Sequence, residues 1–326
     1  MQQQGTYCDF PGGDSWVILS PIEQSIKRKI EAVGTPLKDW DINIYRGVLT
    51  GYNEAFIIST DKREEILCNC QTEDERKRTE ELIRPILRGR DIKRYGYEWA
   101  ELYLIATFPA RHYDIDKYPS VKQYLLSFAF DYLISNGNEE IATHYLADFC
   151  KQKLAQSGEY VQINGKYVLD EKGNREKGRK KTSNNWFETQ DSISYWEEFF
   201  KPKICWASVG PTYFSCIPEG ILLLDTNYFF ASPNPDYLHI VLNSKLITWW
   251  INSEDTPIGG GGAYRHYKYN LQRLSIPGQI DGLAKLDLKD YSDPDLYDRI
   301  VFKTYGLTDA EIAFIDSSFS DSIDGG

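Results

Sequence analysis

The chain of 326 residues is 41% hydrophobic and 26% charged, a composition that suits one large folded domain or two smaller ones and excludes a disordered chain. It has no run of about 18 apolar residues, so the sequence predicts no membrane-spanning helix. The net charge of −11 excludes a uniformly basic surface, but the charge is distributed unevenly along the chain.

Compartment and metal binding can be inferred from the first residues, the cysteines and the histidines. The opening MQQQGTYCDF lacks the basic and apolar regions of a signal peptide. The six cysteines are scattered, and Cys68 and Cys70 form a lone C-x-C pair without a second pair at zinc-ligand spacing. The four histidines share no helical spacing that would place two of them on one metal. We therefore expect a cytoplasmic protein with reduced thiols, no disulfide and no metal site.

The first predicted elements are a helix and two strands. Residues 22–33 have the pattern of a short helix that ends before Pro36. In IYRGVLTGYNEAF, residues 44–56, apolar alternation predicts strands on both sides of a loop that carries Arg46, Thr50 and Asn53. Two interpretations of this loop are open: its glycines let the backbone approach a ligand, or they only permit a hairpin turn.

The next predicted helix begins at Thr79. Glu80 and Glu81 would occupy its first turn, and residues 82, 83, 86 and 87 would form its apolar face. Pro85 would kink or shorten this helix and leave Arg88 and Arg90 just past its end. LYLIATF, residues 102–108, follows as a predicted buried strand.

The middle of the chain predicts helices and strands in irregular order. Helical character extends over residues 119–156, opened by Pro119, and Asn164 with Gly165 predicts a hairpin turn before a basic tract. ISYWEEFFKPKICWASVG predicts a short helix that leads into a strand, and GILLLDTNYFFAS predicts a strand pair. One helix is predicted from about Asp236 to Trp250.

The last part of the chain predicts two helices with clear start signals. Asp293 and Pro294 begin the first, which ends near Gly306, and Thr308 and Glu311 have the spacing of a capping box for the second. Because strands and helices are interspersed without regular βαβ alternation, the sequence predicts an α+β fold with mixed, irregular sheets.

Basic residues concentrate in three stretches. Residues 84–94 hold five basic residues and one acidic residue, residues 172–181 hold six and one, and GGGGAYRHYKYNLQRL, residues 259–274, contains no acidic residue. From Asp281 to the end, eleven acidic residues stand against four basic ones. Each basic stretch alone is typical of a solvated surface, but the three together suggest an anionic partner.

The sequence lacks the common catalytic motifs. No G-x-G-x-x-G follows a strand, the GGGG at 259–262 lacks the lysine and hydroxyl of a phosphate loop, and neither G-x-S-x-G nor H-E-x-x-H occurs. SPNPDY, residues 232–237, is similar to the Asn-Pro-Pro-aromatic loop of adenine methyltransferases, but Asp236 replaces the second proline. A turn in which Asp236 caps the next helix explains it as well. We therefore expect no catalysis by this chain alone.

A set of stretches resembles one known family. In order they are YRGVLTGYNEAFII, LIRPILRGRDIKRY, LYLIATF, WFETQ, FFKPKICWASVG, VLNSKL, LQRLSIP and YDRIVFKTYGLTDAEI. Together they resemble the TaqI-like C-terminal specificity domain, which is the target recognition domain of Type IIG restriction-modification enzymes and N6-adenine DNA methyltransferases. The resemblance runs from about Ile42 to Ile312, and the methyltransferase half of that family is missing.

This resemblance implies a fold and a division of the chain. The implied fold is α+β and similar to a DNA methylase specificity domain, with mixed, irregular sheets, interspersed helices and a helical C-terminal tail. Residues 1–40 would be a connector from a missing upstream catalytic module, residues 41–280 the target recognition domain, and residues 281–326 an acidic helical extension.

The resemblance also implies a function. The chain would bind and clamp double-stranded DNA for site-specific adenine-N6 methylation, with or without linked cleavage. The catalysis would come from a methyltransferase module, with or without a nuclease module, in the same parent chain or complex. That module would use S-adenosylmethionine, and this chain would hold no cofactor.

Candidate DNA-binding residues follow from side-chain chemistry. Arg46, Thr50 and Asn53 are the candidates for reading bases, because arginine pairs with guanine and asparagine with adenine through two hydrogen bonds. Tyr264 and Tyr267 are candidates for packing against a sugar or base. The candidates for phosphate contacts are Arg88, Arg90, Arg94, Lys180, Lys181, Arg265, His266 and Lys268.

Several alternatives are open. Arg46 could be an internal salt-bridge partner, and Gly47 and Gly51 could serve only the backbone. The many aromatic residues could line a carbohydrate-binding surface, which would bind without salt dependence. The chain could also be a protein-interaction module or a stand-alone specificity subunit of a multi-subunit modification complex.

Overall fold

The computed structural model describes residues 19–126, 182–259 and 262–320, with two short strands at 162–163 and 166–167. The helices in these ranges are α1 (Pro21–Ala32), α2 (Asn53–Phe56), α3 (Thr60–Cys68), α4 (Glu73–Leu82), α5 (Pro119–Leu126), α6 (Pro235–Leu242), α7 (Lys245–Glu254), α8 (Lys268–Arg273), α9 (Pro294–Thr304) and α10 (Asp309–Ser320). The strands are β1 (Thr35–Pro36), β2 (Tyr45–Arg46), β3 (Ile57–Ser59), β4 (Ile83–Leu87), β5 (Ile92–Lys93), β6 (Gly96–Tyr97), β7 (Leu102–Ile105), β8 (Gln162–Ile163), β9 (Lys166–Tyr167), β10 (Lys203–Ala207), β11 (Val209–Gly210), β12 (Ser215–Ile217), β13 (Leu222–Leu223), β14 (Asn227–Ala231), β15 (Thr256–Ile258), β16 (Ala263–Arg265) and β17 (Ser275–Ile276). The small irregular sheets and interspersed helices confirm the predicted α+β class.

The chain forms two compact units. The central unit contains Asn43 to His239, and the terminal unit contains the described residues up to Ile42 and from Ile240 onward. These units divide the chain at points other than residues 40 and 280. The functional roles expected for 1–40, 41–280 and 281–326 stay predictions.

The central unit is built on two four-stranded sheets. One has the order β12-β10-β14-β2 and is antiparallel throughout. The other has the order β13-β4-β7-β3, in which β13 and β4 run parallel and the remaining pairs are antiparallel. The core around these sheets includes the fully buried side chains of Phe56, Ile86, Leu104 and Phe229.

A lysine is buried in strand β10, where all five residues are buried. The ammonium of Lys203 donates to the carbonyl oxygens of Phe199 and Pro218, both at 2.9 Å, and of Lys201 at 3.3 Å. Burial lowers the pKa of Lys203 to about 8 because a charge is disfavoured away from water. The lysine therefore ties together three loop carbonyls in the core.

The prediction of a helix from Thr79 was wrong. The helix begins earlier, at Glu73, because the Thr72 side chain accepts a hydrogen bond from Glu75 N at 3.1 Å, and Thr79 is buried near its end. Residues 83–87 form β4 instead. Pro85 disfavours a helical conformation at the residue before it, and β4 gains partners on both sides, β13 and β7.

Two further predictions needed correction. Arg46 lies on β2 and not on the loop, and β2 and β3 pair with β14 and β7 respectively, so the hairpin interpretation of residues 44–56 was wrong. The single helix predicted over residues 236–250 is two helices, α6 and α7. Ser244 interrupts them with an extended backbone, φ −66° and ψ 150°, and its hydroxyl donates to Val241 O at 2.7 Å.

Several elements confirm their predictions. The helix at 22–33, the strand within 102–108, the pairing of β8 with β9 and the strand that follows the short 3₁₀ turn Trp196–Phe200 are all present. Of the predicted helical stretch 119–156, α5 is observed and the residues after 126 lie outside the described part. No helix within the described ranges is long and apolar enough to cross a membrane.

The terminal unit joins α1 to the last helices of the chain. Lys29 on α1 forms a 2.6 Å ion pair with Glu311 on α10, and Ser25 donates to the same carboxylate at 2.7 Å. Glu311 also accepts from Thr308 N at 2.7 Å, which confirms the predicted capping box. The strands β1 and β17 pair antiparallel, and β15 and β16 form a hairpin.

Candidate nucleic-acid interface

Four sequence-distant stretches meet in the central unit and form what we call the loop cluster, made of residues 46–51, 87–91, 189–191 and 223–227. Main-chain hydrogen bonds join the first stretch to the last. Val48 N donates to Leu223 O at 2.7 Å, and Asp225 N donates back to Val48 O at 3.0 Å. Residues 46–51 and 223–227 are therefore neighbours in space.

The other two stretches are attached in the same way. Leu224 N donates to Leu87 O at 2.9 Å, and Gly89 N donates to the Thr226 hydroxyl at 2.9 Å. Gln190 N donates to Thr50 O at 3.1 Å. The loop cluster is thus a scaffold of backbone bonds whose exposed side chains are left for other uses.

Gly47 is required by the close approach of two chain segments. A Cβ at this position would lie 2.1 Å from Leu224 O and 2.5 Å from Leu223 O, far inside van der Waals contact. Gly51 has φ +78°, a conformation that glycine adopts without steric cost. Both glycines are therefore required by the backbone conformation, which agrees with the alternative that they have only a structural role.

Arg46 is an internal salt-bridge partner. Its Nε donates to Asp225 O at 2.8 Å, and its Nη2 lies 3.1 Å from Asp225 Oδ2. Burial raises the pKa of Asp225, and the charge of Arg46 opposes that rise. The Arg46 side chain is still 53% exposed, so it can contact a ligand only with the face that Asp225 leaves open.

Thr50 cannot read a base, and this candidate is corrected. Its side chain is buried, with 1% of the residue exposed. The hydroxyl donates to Asn53 Oδ1 at 2.6 Å and accepts from Tyr52 N at 3.1 Å. Asn53 is exposed at the start of α2, and among the described residues no partner engages its NH₂ group. Asn53 therefore keeps a free donor for a ligand.

The second basic stretch separates into one structural arginine and two exposed ones. Arg88 is corrected from phosphate contact to structure: its Nε and Nη2 bond the buried carboxylate of Asp91 at 3.0 and 2.7 Å. These bonds raise the pKa of Arg88. Arg90 is exposed on the adjoining 3₁₀ turn, and no hydrogen bond or ion pair engages it within the described part of the chain.

Arg94 lies at the tip of the β5–β6 hairpin. It is exposed, and its guanidinium lies 5.1 Å from the centroid of the Tyr95 ring. Tyr95 takes a positive φ of 65°, and Ser215 donates to the carbonyl oxygens of Lys93 and Gly96. The hairpin is therefore anchored at its base and presents a cation at its tip.

The third basic stretch lies in the terminal unit. His266 is buried, with its Nδ1 at 2.7 Å from Asp255 Oδ2, so it is corrected from phosphate contact to structure. Asp255 also accepts from Tyr267 N at 3.2 Å and from the Asn270 side chain at 2.8 Å. This carboxylate fixes the chain that follows β16, and it leaves Arg265 exposed.

Exposed aromatic rings accompany these cations. Tyr267 stacks on Tyr269 with ring centroids 5.3 Å apart and an interplanar angle of 28°. Tyr269 is 58% exposed and was missed by the sequence analysis, although its place in YRHYKY is a usable signal. Tyr264 is half-buried and stacks near His266 at 6.4 Å. Lys268 is exposed between the two stacked tyrosines.

The structure thus divides the candidates into two groups and leaves two of them aside. The structural residues are Arg46, Thr50, Arg88 and His266. The exposed residues are Asn53, Arg90, Arg94, Arg265, Lys268 and, in part, Tyr264 and Tyr267. Lys180 and Lys181 lie outside the described residues. No cluster of three or more potential metal ligands occurs in the described part of the chain.

Comparisons with known proteins give coarse similarities. No protein-family model matches the chain, and no curated protein matches it. The type IIG restriction endonuclease BpuSI is similar in structure over 91% of this chain and 31% of that one, with 12% identity and a TM-score of 0.47. The Type IIL restriction-modification enzyme MmeI, in complex with DNA, is similar over 89% of this chain and 37% of that one, with 9% identity and a TM-score of 0.42. The chain spans about a third of each enzyme's length.

Proposed function

We propose that this chain is the DNA-recognition and clamping part of a restriction-modification adenine-N6 methyltransferase of the Type IIG kind. The catalytic module, with its S-adenosylmethionine, would be supplied by the parent chain or complex. It would act in the cytoplasm, where the DNA substrate lies.

One observation carries the proposal: three of the stretches that resemble a target recognition domain contribute residues 46–51, 87–91 and 189–190 to the loop cluster. Main-chain hydrogen bonds attach residues 46–51 and 87–91 to the turn at 223–227, and residues 190 and 191 to residues 50 and 49. At this cluster Arg90 is exposed and free of ion pairs within the described residues, and Asn53 keeps a free amide donor.

The chemistry of these side chains suits duplex DNA. Arginines on loops neutralise phosphates and fix the register of the protein, which gives affinity without sequence preference. Arg90 and Arg94 have this role in the proposal, together with Arg265 and Lys268. Asn53 supplies specificity, since a carboxamide can bond two edge groups of adenine in the major groove.

Salt-dependent binding tests the phosphate contacts. Anisotropy titrations of duplex DNA at several salt concentrations should give a steep slope for the whole chain, and R90A/R94A should reduce that slope by up to about two. R76A/K77A is the matched control, because it removes the same charge from α4, where Lys77 is exposed and Arg76 is half-buried beside Glu80. No binding at about 50 mM salt, where phosphate contacts are strong, would contradict the proposal.

Sequencing of the bound fraction tests base reading. A random duplex pool should be enriched in a short site by the wild-type chain. Asn53→Ala should relax the preference at one position by about 1–3 kcal/mol and leave the other positions unchanged. Uniform weakening at all positions would make Asn53 a structural residue.

A further inference from the structure

The central unit contains a cationic site, lined by residues other than those of the loop cluster, that we call the arginine pocket. It is a cavity of about 340 Å³, within the range of about 300–1,000 Å³ typical of ligand pockets. The residues that define it are Arg78, Arg84, Arg111, Tyr113, Trp196 and Phe200.

The three arginines of the pocket lack acidic partners. No carboxylate within the described residues forms an ion pair with Arg78, Arg84 or Arg111. Arg78 donates from Nη2 to Lys117 O at 3.2 Å, but its buried Nε has no hydrogen-bond partner. Arg84 donates from Nε to Glu81 O at 2.8 Å, and Glu81 is the one acidic residue among the described residues that line the cavity. Three gathered cations with a buried, unbonded donor indicate an anionic ligand.

Aromatic rings hold two of these arginines in place. The Arg111 guanidinium lies 3.8 Å from the centroid of the Trp196 ring and 5.5 Å from that of Tyr113. The Arg84 guanidinium lies 5.5 Å from the Phe200 ring, and Phe200 is 37% exposed. Because guanidinium groups and aromatic rings both stack on planar groups, the cavity wall offers flat surfaces next to the positive charge.

We propose that the arginine pocket binds a ligand in which a phosphate is joined to a planar ring, that is, a mononucleotide. Planar guanidinium groups match phosphate geometry through paired hydrogen bonds, and three of them suit a doubly charged phosphate better than a single carboxylate. The nucleotide is either free or an unpaired nucleotide of a DNA strand. This inference does not depend on the proposed function.

Calorimetric titration of the whole chain tests the ligand class. Deoxyadenosine monophosphate should bind at least about tenfold more tightly than inorganic phosphate or deoxyadenosine, since only it engages both cations and rings. A 5′-phosphorylated single-stranded oligonucleotide separates the two sources. If the oligonucleotide binds more tightly than the mononucleotide, the ligand is a nucleotide of a DNA strand. If the two bind equally, the ligand is the free nucleotide. Equal affinity for inorganic phosphate and the mononucleotide, or no binding of the mononucleotide at millimolar concentration, would overturn the proposal.

Variants locate the site. R84A/R111A should weaken mononucleotide binding by about tenfold or more, whereas Arg76→Ala, which removes a charge from α4 outside the pocket, should leave it unchanged. Phe200→Ala should leave the protein folded, because the Phe200 ring is already partly exposed. It should weaken mononucleotide binding more than phosphate binding. Unchanged mononucleotide affinity in both R84A/R111A and Phe200→Ala would refute the site. R90A/R94A should leave mononucleotide affinity unchanged, which separates this test from the test of duplex binding.

Discussion

Replacing Gly47 with alanine should disrupt the loop cluster. The added Cβ would lie 2.1 Å from Leu224 O and 2.5 Å from Leu223 O, and both are backbone atoms that cannot rotate away. Relieving the overlap means separating the strands, which breaks the bonds from Gly47 N to Asn227 O and from Val48 N to Leu223 O. Overpacking costs about 1–3 kcal/mol and each lost hydrogen bond about 1 kcal/mol, so the free energy of unfolding should fall by about 3–5 kcal/mol.

Urea unfolding, followed by circular dichroism and by tryptophan fluorescence, measures this loss. Gly96→Ala is the matched control, because a Cβ there has no neighbour within 4 Å and the free energy of unfolding should change by less than about 1 kcal/mol. If Gly47→Ala unfolded at the same urea concentration as Gly96→Ala, the steric account of the motif glycine would be refuted.

Three further predictions concern a carboxylate, a hydroxyl and a ring. Burial opposes ionisation of Glu311, but bonds from Lys29 and its neighbours prevail and lower its pKa to about 2. Ionised Glu311 therefore stabilises the fold by up to about 3 kcal/mol above pH about 4.5, and this stabilisation is lost toward pH 2. The free energies of unfolding of wild type and Glu311→Gln should differ at neutral pH and become equal near pH 2. A difference that persists at pH 2 would show that the ionisation of Glu311 is not its cause. Thr50→Val should lower the free energy of unfolding by about 1–3 kcal/mol, since it leaves Tyr52 N–H unsatisfied, without changing the salt slope of DNA binding; a changed slope would return Thr50 to the interface. Tyr269→Ala should weaken DNA binding by about 1 kcal/mol at unchanged thermal stability, and equal affinity in anisotropy titrations would remove the ring from the interface.

Local signals made the terminal helices predictable. Asp293 with Pro294, and Thr308 with Glu311, act within three residues of each other, and the structure shows both helix starts. The strand β4 was not predictable in this way, because its extended form depends on pairing with β13 and β7, which lie elsewhere in the sequence. The helix propensity of residues 79–87 contains no information about that long-range pairing.

In the candidate site too, short-range contacts could be predicted from the sequence and long-range contacts could not. The Arg88 pair with Asp91 spans three residues and could have been noticed as an ion pair in the sequence. The Arg46 pair with Asp225 joins residues 179 positions apart, and the sequence alone left it as one open alternative. Composition indicated candidate stretches of the chain, but burial decides which of their side chains a ligand can reach, as Thr50 and His266 demonstrate.

The loop cluster is held together mainly by its backbone, which affects the substitutions that it can tolerate. Its cohesion depends on main-chain bonds, on Gly47 and on the buried Asn227 side chain, which donates to Leu87 O at 3.0 Å. The exposed Arg90 side chain takes no part in these bonds within the described residues, whereas Asn53 accepts a hydrogen bond from the buried Thr50 hydroxyl. A substitution of Arg90 therefore leaves the main-chain bonds of the loop cluster in place, so the charge of its exposed surface can change while the architecture persists.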